Sequence, residues 1–166
     1  MKLKKMSLEN VRKKQMDVSE NLSYAQRKYK QIQDSKMKID NLRETVMDTT
    51  LDEEYRKACS REVAKVQHEH YEQKEDLKYD LINLNHDVEE TSEEINSNID
   101  NIAGAGQDIE KVNSGNDNRG IIEKLKTKLK ETTNGSLKEW EYHKKRFDSY
   151  TEDIKKMKED LSKRDF

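Results

Sequence analysis

The chain has 166 residues, of which 41% are charged and 31% hydrophobic, with a formal net charge of -2 and no proline. So little apolar material would leave a compact globule of this length unable to offset its chain entropy. The apolar residues recur periodically, which favours long helices that bury a narrow seam and solvate everything else over a disordered polymer.

The first 48 residues set the pattern. Val11, Val18, Ala25, Ile32, Ile39 and Val46 stand one heptad apart, the spacing of a helix that supercoils against another helix. A helix is predicted over about 7–48, capped by the Ser7 hydroxyl. Leu8, Leu22, Tyr29 and Leu42 complete its seam, and Lys14, Gln15, Asn21, Lys28, Ser35 and Lys36 interrupt it at positions that set register and partner choice.

At Asp48-Thr49-Thr50-Leu51-Asp52-Glu53 the heptad phase is lost, and Thr50 with Glu53 forms a T-x-x-E capping signature. A turn is expected here. One uninterrupted helix is the alternative, because Met47, Leu51, Tyr55 and Ala58 keep a helical stripe. The second helix is predicted over about 51–103. Val63, Val66, His70, Leu77, Leu81, Leu84, Val88, Ile95, Ile99 and Ile102 lie on one side of it. Gly104, Gly106, Gly115 and Gly120, with Asn113, Asn116 and Asn118, then predict a mobile connection over 104–120, with a short turn at Ile109 and Val112. A third helix over about 121–163 carries two interleaved heptads. One runs through Ile122, Leu129, Ser136, His143, Tyr150 and Met157, the other through Thr133, Trp140, Phe147, Ile154 and Leu161. Thr132-Thr133-Asn134-Gly135 is a weak spot in that one helix.

Charge is partitioned along the chain: residues 1–48 carry a net +5, residues 49–118 a net -11 and residues 119–166 a net +4. Folding back would bring opposite signs side by side. The expected fold class is all-α, an elongated antiparallel coiled-coil-like bundle of three long helices in a single domain. The seam or interface candidates are Val11, Val18, Ile32, Ile39, Leu81, Val88, Ile95, Trp140, Phe147, Tyr150 and Ile154. Tyr24, Tyr55 and Tyr79 are the expected exposed aromatics.

Chemistry-bearing clusters are sparse. His68 and His70 are two apart and point to different helix faces, so only His68 with Glu72 could share an ion, and two ligands make no site. Gly104-Ala105-Gly106-Gln107-Asp108-Ile109 follows a helix instead of a strand and has Ile109 where a dinucleotide loop needs glycine. Lys124, Lys126, Lys128 and Lys130 alternate with Leu125, Thr127 and Leu129 and are balanced by Glu123 and Glu131, the pattern of a solvated face and not of a nucleic-acid site. Cys59 lacks a base beside it and reads as packing. A bundle seam offers no water-restricted pocket for acid or base work, so no enzyme activity, cofactor or metal is expected.

Cys59 alone cannot form an intrachain disulfide, consistent with a reducing place of synthesis. Met1-Lys2-Leu3-Lys4-Lys5-Met6 leads into Ser7, Glu9, Asn10 and Arg12 instead of an apolar core, so any export is expected to be independent of a cleaved signal. No stretch approaches the roughly 20 apolar residues of a membrane span. A soluble, cytoplasmic protein is expected.

The proline-free helical pattern, rich in Lys, Glu, Asp and Asn, with Tyr71-Glu72-Gln73-Lys74-Glu75 as a Y-x-x-x-D/E match, resembles the small helical WXG100-like proteins. It is similar too to the partners of LXG toxins in Gram-positive type VII secretion. Trp140, followed by Glu141 and Tyr142, does not form that family's W-x-G turn. The resemblance implies a bacterial helical hairpin that pairs with a second helical protein as an adaptor or chaperone. The partner expected is therefore a helical protein, or the chain itself if it is a homo-oligomeric scaffold or spacer. An antitoxin or other inhibitor would be equally helical.

Overall fold

The computed structural model describes residues 7–112 and 119–166. The protein is all-α, built from three long helices: α1 over Leu8–Met47, α2 over Glu53–Glu110 and α3 over Arg119–Ser162. No strand occurs among the described residues.

Ser7 starts α1 as the sequence requires, its Oγ accepting from Asn10 N at 3.2 Å. The expected turn follows α1, although the capping box is not its mechanism. Asp48 Oδ1 accepts from both the backbone N–H and the hydroxyl of Thr50, at 3.0 and 2.6 Å. That Asx arrangement occupies the Thr50 side chain, so α2 begins at Glu53, two residues later than predicted, with Asp52 O accepting from Arg56 N at 3.0 Å.

The predicted connection over 104–120 is corrected on both sides. Helix α2 continues through Gly104 and Gly106 to Glu110 and ends in a turn in which Val112 N donates to Ile109 O at 3.3 Å, and α3 already includes Gly120. The part of the predicted loop over 113–118 lies outside the described residues. A helical glycine costs about 1 kcal/mol relative to alanine, and here tertiary contact overrides that cost. Gly106 lies against Thr133 of α3, where an added Cβ would meet Cγ2 at 3.6 Å. A turn later, Glu110 is paired with Lys130. The weak spot at 132–135 stays helical as expected, with Thr132 and Thr133 hydroxyls donating to the carbonyls of Lys128 and Leu129.

The packing divides into two units, each with segments of all three helices. Unit 1 contains residues 8–18 of α1, 87–110 of α2 and 119–151 of α3. Its buried residues are Val11, Val18, Val88, Thr91, Ile95, Trp140, His143, Phe147 and Tyr150. In it α2 and α3 run antiparallel, Gly106 opposite Thr133 and Glu110 opposite Lys130. Helix α1 runs parallel to α3, with Arg12 on Glu139 and Gln15 on His143.

Unit 2 contains residues 19–47 of α1, 53–86 of α2 and 152–166. Its core is Leu22, Ala25, Ile32, Ile39, Cys59, Val66, Leu77, Leu81, Leu84, Ile154, Met157 and Leu161, with His70 among them. Full burial of one such aliphatic side chain contributes about 1.5–3 kcal/mol. Here α1 and α2 run antiparallel: Lys28 meets Asp80 at 2.6 Å, Ser35 donates to Gln73 at 3.0 Å, and Arg56 Nε donates to Val46 O at 3.0 Å. Three of the predicted interruptions of the first helix, Gln15, Lys28 and Ser35, are thus the residues whose polar bonds fix the helices in register.

Candidate protein–protein interface

The eleven seam or interface candidates singled out from the sequence are all buried: Val11, Val18, Val88, Ile95, Trp140, Phe147 and Tyr150 in unit 1, and Ile32, Ile39, Leu81 and Ile154 in unit 2. Trp140 packs inside the bundle, as does Phe147, whose ring stands edge-on to Tyr150 at 5.4 Å between centroids. These residues hold the chain's own helices together. The exposed apolar residues lie elsewhere.

One group of them lies on α3. Arg12 and Gln15 of α1 meet Glu139 and His143 of α3. Two heptads earlier on α3, the equivalent positions are Leu125 and Leu129, and no α1 residue lies beside them: they are 54% and 50% exposed. Leu129 was expected in the seam, and its exposure is a correction: among the described residues α1 begins at Leu8, one turn before the Arg12–Glu139 pair, and does not reach it. Ile121, one turn before Leu125, is exposed as well. On α2 the stripe behaves alike: Thr91 is buried, Asn98 half-buried, and Ala105 and Val112 are exposed. Between Ile95 and Trp140 no described residue is buried. Along this stretch Ile121, Leu125 and Leu129 form an exposed apolar stripe on α3.

Sequence reasoning grouped Leu125 with a solvated lysine face and missed Ile121 and Val112. The signal available was the heptad equivalence of Leu125 and Leu129 to Glu139 and His143, which places leucines at positions where the covered part of the bundle is polar.

Electrostatics sharpen the boundary between covered and open parts. Burial holds the His143 imidazole below its ordinary range, with Glu139 and Arg12 acting in opposite senses. Its Nδ1 is 2.6 Å from Gln15 Oε1, which makes Nδ1 the protonated nitrogen, while Nε2 is buried without a partner. At the open end the Lys130 ammonium, hydrogen-bonded to Glu110, holds that carboxyl below the usual carboxylate range.

In unit 2 the polar centre is built from Tyr29 and the last residues. Tyr29 donates to Asp160 and stacks on Phe166 at 5.2 Å, and burial together with that bond pushes its hydroxyl up to about 12. The Phe166 carbonyl accepts from Lys74 at 3.3 Å and sits 2.8 Å from His70 Nε2. Each of these groups is committed to a contact within the chain. Tyr24, Tyr55 and Tyr79 are exposed, as expected, and Tyr24 has the Lys28 ammonium 4.8 Å from its ring centroid.

His68 and Glu72 pair at 3.0 Å on an exposed face, and no group of three His, Cys, Asp or Glu comes together among the described residues. Cys59 is buried. Among the described residues no helix is long and apolar enough to cross a membrane. No protein-family model matches the chain, nor does any curated protein or solved structure.

Proposed function

We propose that the protein is a non-enzymatic helical binding protein, an adaptor or chaperone-like partner whose exposed α3 stripe in unit 1 takes a helix from another protein. The observation that carries this reading is the exposed stripe of Ile121, Leu125 and Leu129. It continues the face of α3 on which α1 lies at Glu139 and His143, so a helix is a shape that suits it. A resemblance in composition to the helical partners of type VII secretion supports the helical region of a secreted toxin as the cargo.

The test is crosslinking and affinity isolation from the native host. Wild-type chain is compared with a Leu125→Gln, Leu129→Gln double variant that keeps helix propensity. The expected result is one helical protein captured by the wild type and lost with the variant, at unchanged ellipticity. Capture of the chain by itself, through the same leucines, would establish a homo-oligomeric scaffold instead.

A further inference from the structure

Residues 8–18 of α1 are held in unit 1 by few contacts. Val11 and Val18 are buried there, and two polar contacts reach α3, Arg12 with Glu139 and Gln15 with His143. The Arg12–Glu139 pair is exposed and adds little. The remainder of α1 is anchored separately in unit 2, by the burial of Leu22, Ala25, Ile32 and Ile39 and by the bonds of Lys28 to Asp80 and Ser35 to Gln73. In unit 1, α2 and α3 keep contacts of their own at Gly106–Thr133 and Glu110–Lys130. Independently of the docking reading above, we infer that residues 8–18 form an acid-releasable arm: protonation of His143 detaches them from α3 while the rest of the chain stays folded.

The switch lies in how the His143 ring is satisfied. The residue is 4% exposed, its Nδ1 donates to Gln15 Oε1 at 2.6 Å, and its Nε2 is buried with no partner. That arrangement suits the neutral ring. An imidazolium carries a proton on both nitrogens, and the one on Nε2 would stand buried without an acceptor. Once the arm leaves, water reaches the ring and solvates both N–H groups, so the proton favours the released state. Burial accordingly holds the imidazole below its ordinary value of 6.5. Above that value neither state binds the proton and the arm stays in place. Below it the released state takes up the proton more readily and is favoured.

Neighbouring charges supply no substitute partner. Glu139, one turn earlier on α3, favours the proton and Arg12 on α1 opposes it, and these two are paired with each other. Counted from Gly106 opposite Thr133 and Glu110 opposite Lys130, His143 is level with residues 96–97 of α2. Glu93 and Glu94 stand on one side of that level and Asp100 on the other, and none of them bonds Nε2. Glu93 and Asp100 are exposed, as are Lys14 and Asp17 beside Gln15 and Lys144 and Arg146 beside His143. The Tyr142 ring stands edge-on to the imidazole at 5.4 Å between centroids, without bonding Nε2.

The experiment is hydrogen exchange of the full chain, followed by mass spectrometry between about pH 7.5 and 5 and corrected for the intrinsic rate at each pH; carboxylates stay largely ionised over this span. Residues 8–18 should be protected at the upper pH, yet less than residues 22–39 at every pH, which marks an opening of their own. Their protection should fall by about tenfold toward the lower pH. In His143→Gln, where an amide can still bond Gln15, the fall should disappear. In Gln15→Glu a carboxylate meets the imidazolium, so the arm should hold more tightly at the lower pH than at the upper one. Equal protection of the two stretches throughout would show that the arm opens only with the whole chain, and would overturn the inference. So would an arm without protection at the upper pH, a fall that persists in His143→Gln, or continued acid release in Gln15→Glu.

Discussion

Beside α1 in unit 1, the polar residues Thr91 and His143 are 2% and 4% exposed; two heptads along the same stripes, Ala105 and Leu129 face solvent. The two stretches belong to the same helices and share one register, so local propensity does not separate them. What separates them is where α1 stops. On these two stripes a histidine and a threonine are inside and a leucine outside.

The turn between α1 and α2 in unit 2 behaves differently. There α1 and α2 are joined by the Asp48 turn and tied by Arg56 to the Val46 carbonyl. Shallow clefts lie against Met37, Leu42 and Thr45 and against Val46, Met47 and Val63. Their flanking charges are mixed, with Asp34 beside Lys38 on one face. Neither a continuous stripe nor a single sign of charge develops there.

The largest effect that would break the comparison is on core packing. Phe147→Ala, at a fully buried position of the covered part, should lower unfolding free energy by about 3–5 kcal/mol in denaturant titration. Leu125→Ala in the open part should change it by no more than about 0.5 kcal/mol. Similar losses at the two sites would show that the open end is packed after all.

Next in size are the glycines of the open end. Nothing lies within 4 Å of a Cβ built on Gly104 or Gly135, and both are helical with no positive φ. Alanine at either should therefore raise stability by up to about 1 kcal/mol, measured as a higher Tm. A lower Tm would mean that this stretch of helix relies on glycine for a close approach.

A smaller effect is the pH dependence set by His143. Burial favours its neutral form, so the folded pKa lies below the ordinary 6.5 of the unfolded chain. Above that value both states are neutral and the group contributes no slope. As pH falls below it the unfolded chain takes up a proton that the folded one resists, and stability declines until the folded pKa is passed. Denaturation midpoints between pH 7.5 and about 5 should show this decline in the wild type and lose part of it in His143→Leu. An unchanged slope would place the imidazole in solvent contact.

Much of this architecture was legible because the signals were local. Ser7 caps α1, the lost heptad phase marks the turn after it although the Asp48–Thr50 bonds that make the turn were not read, and heptad spacing selected residues such as Ile32, Leu81 and Phe147 that are fully buried. Gly104 and Gly106 misled because their helical penalty is visible in sequence while the contacts opposing it, Thr133 on Gly106 and Lys130 on Glu110, belong to α3. The open stripe was illegible for a related reason. Whether Leu129 is covered depends on which turn of α3 lies beside the first turn of α1. That register is set across more than a hundred residues by Gln15 on His143 and Arg12 on Glu139.

The chain's single tryptophan, Trp140, is buried at the edge of the covered part, just before the cover ends. Its indole is thus a built-in optical probe, with emission governed by unit 1, whereas far-ultraviolet ellipticity sums over every helical turn in both units. Since α1, α2 and α3 each pass unbroken from one unit into the other, melting curves followed by the two signals compare a local event with a chain-wide one in the unmodified protein. Because Leu125 lies about four turns along α3 from the indole, a ligand that settles on the open stripe and stiffens this end has a native reporter close at hand, with no dye attached.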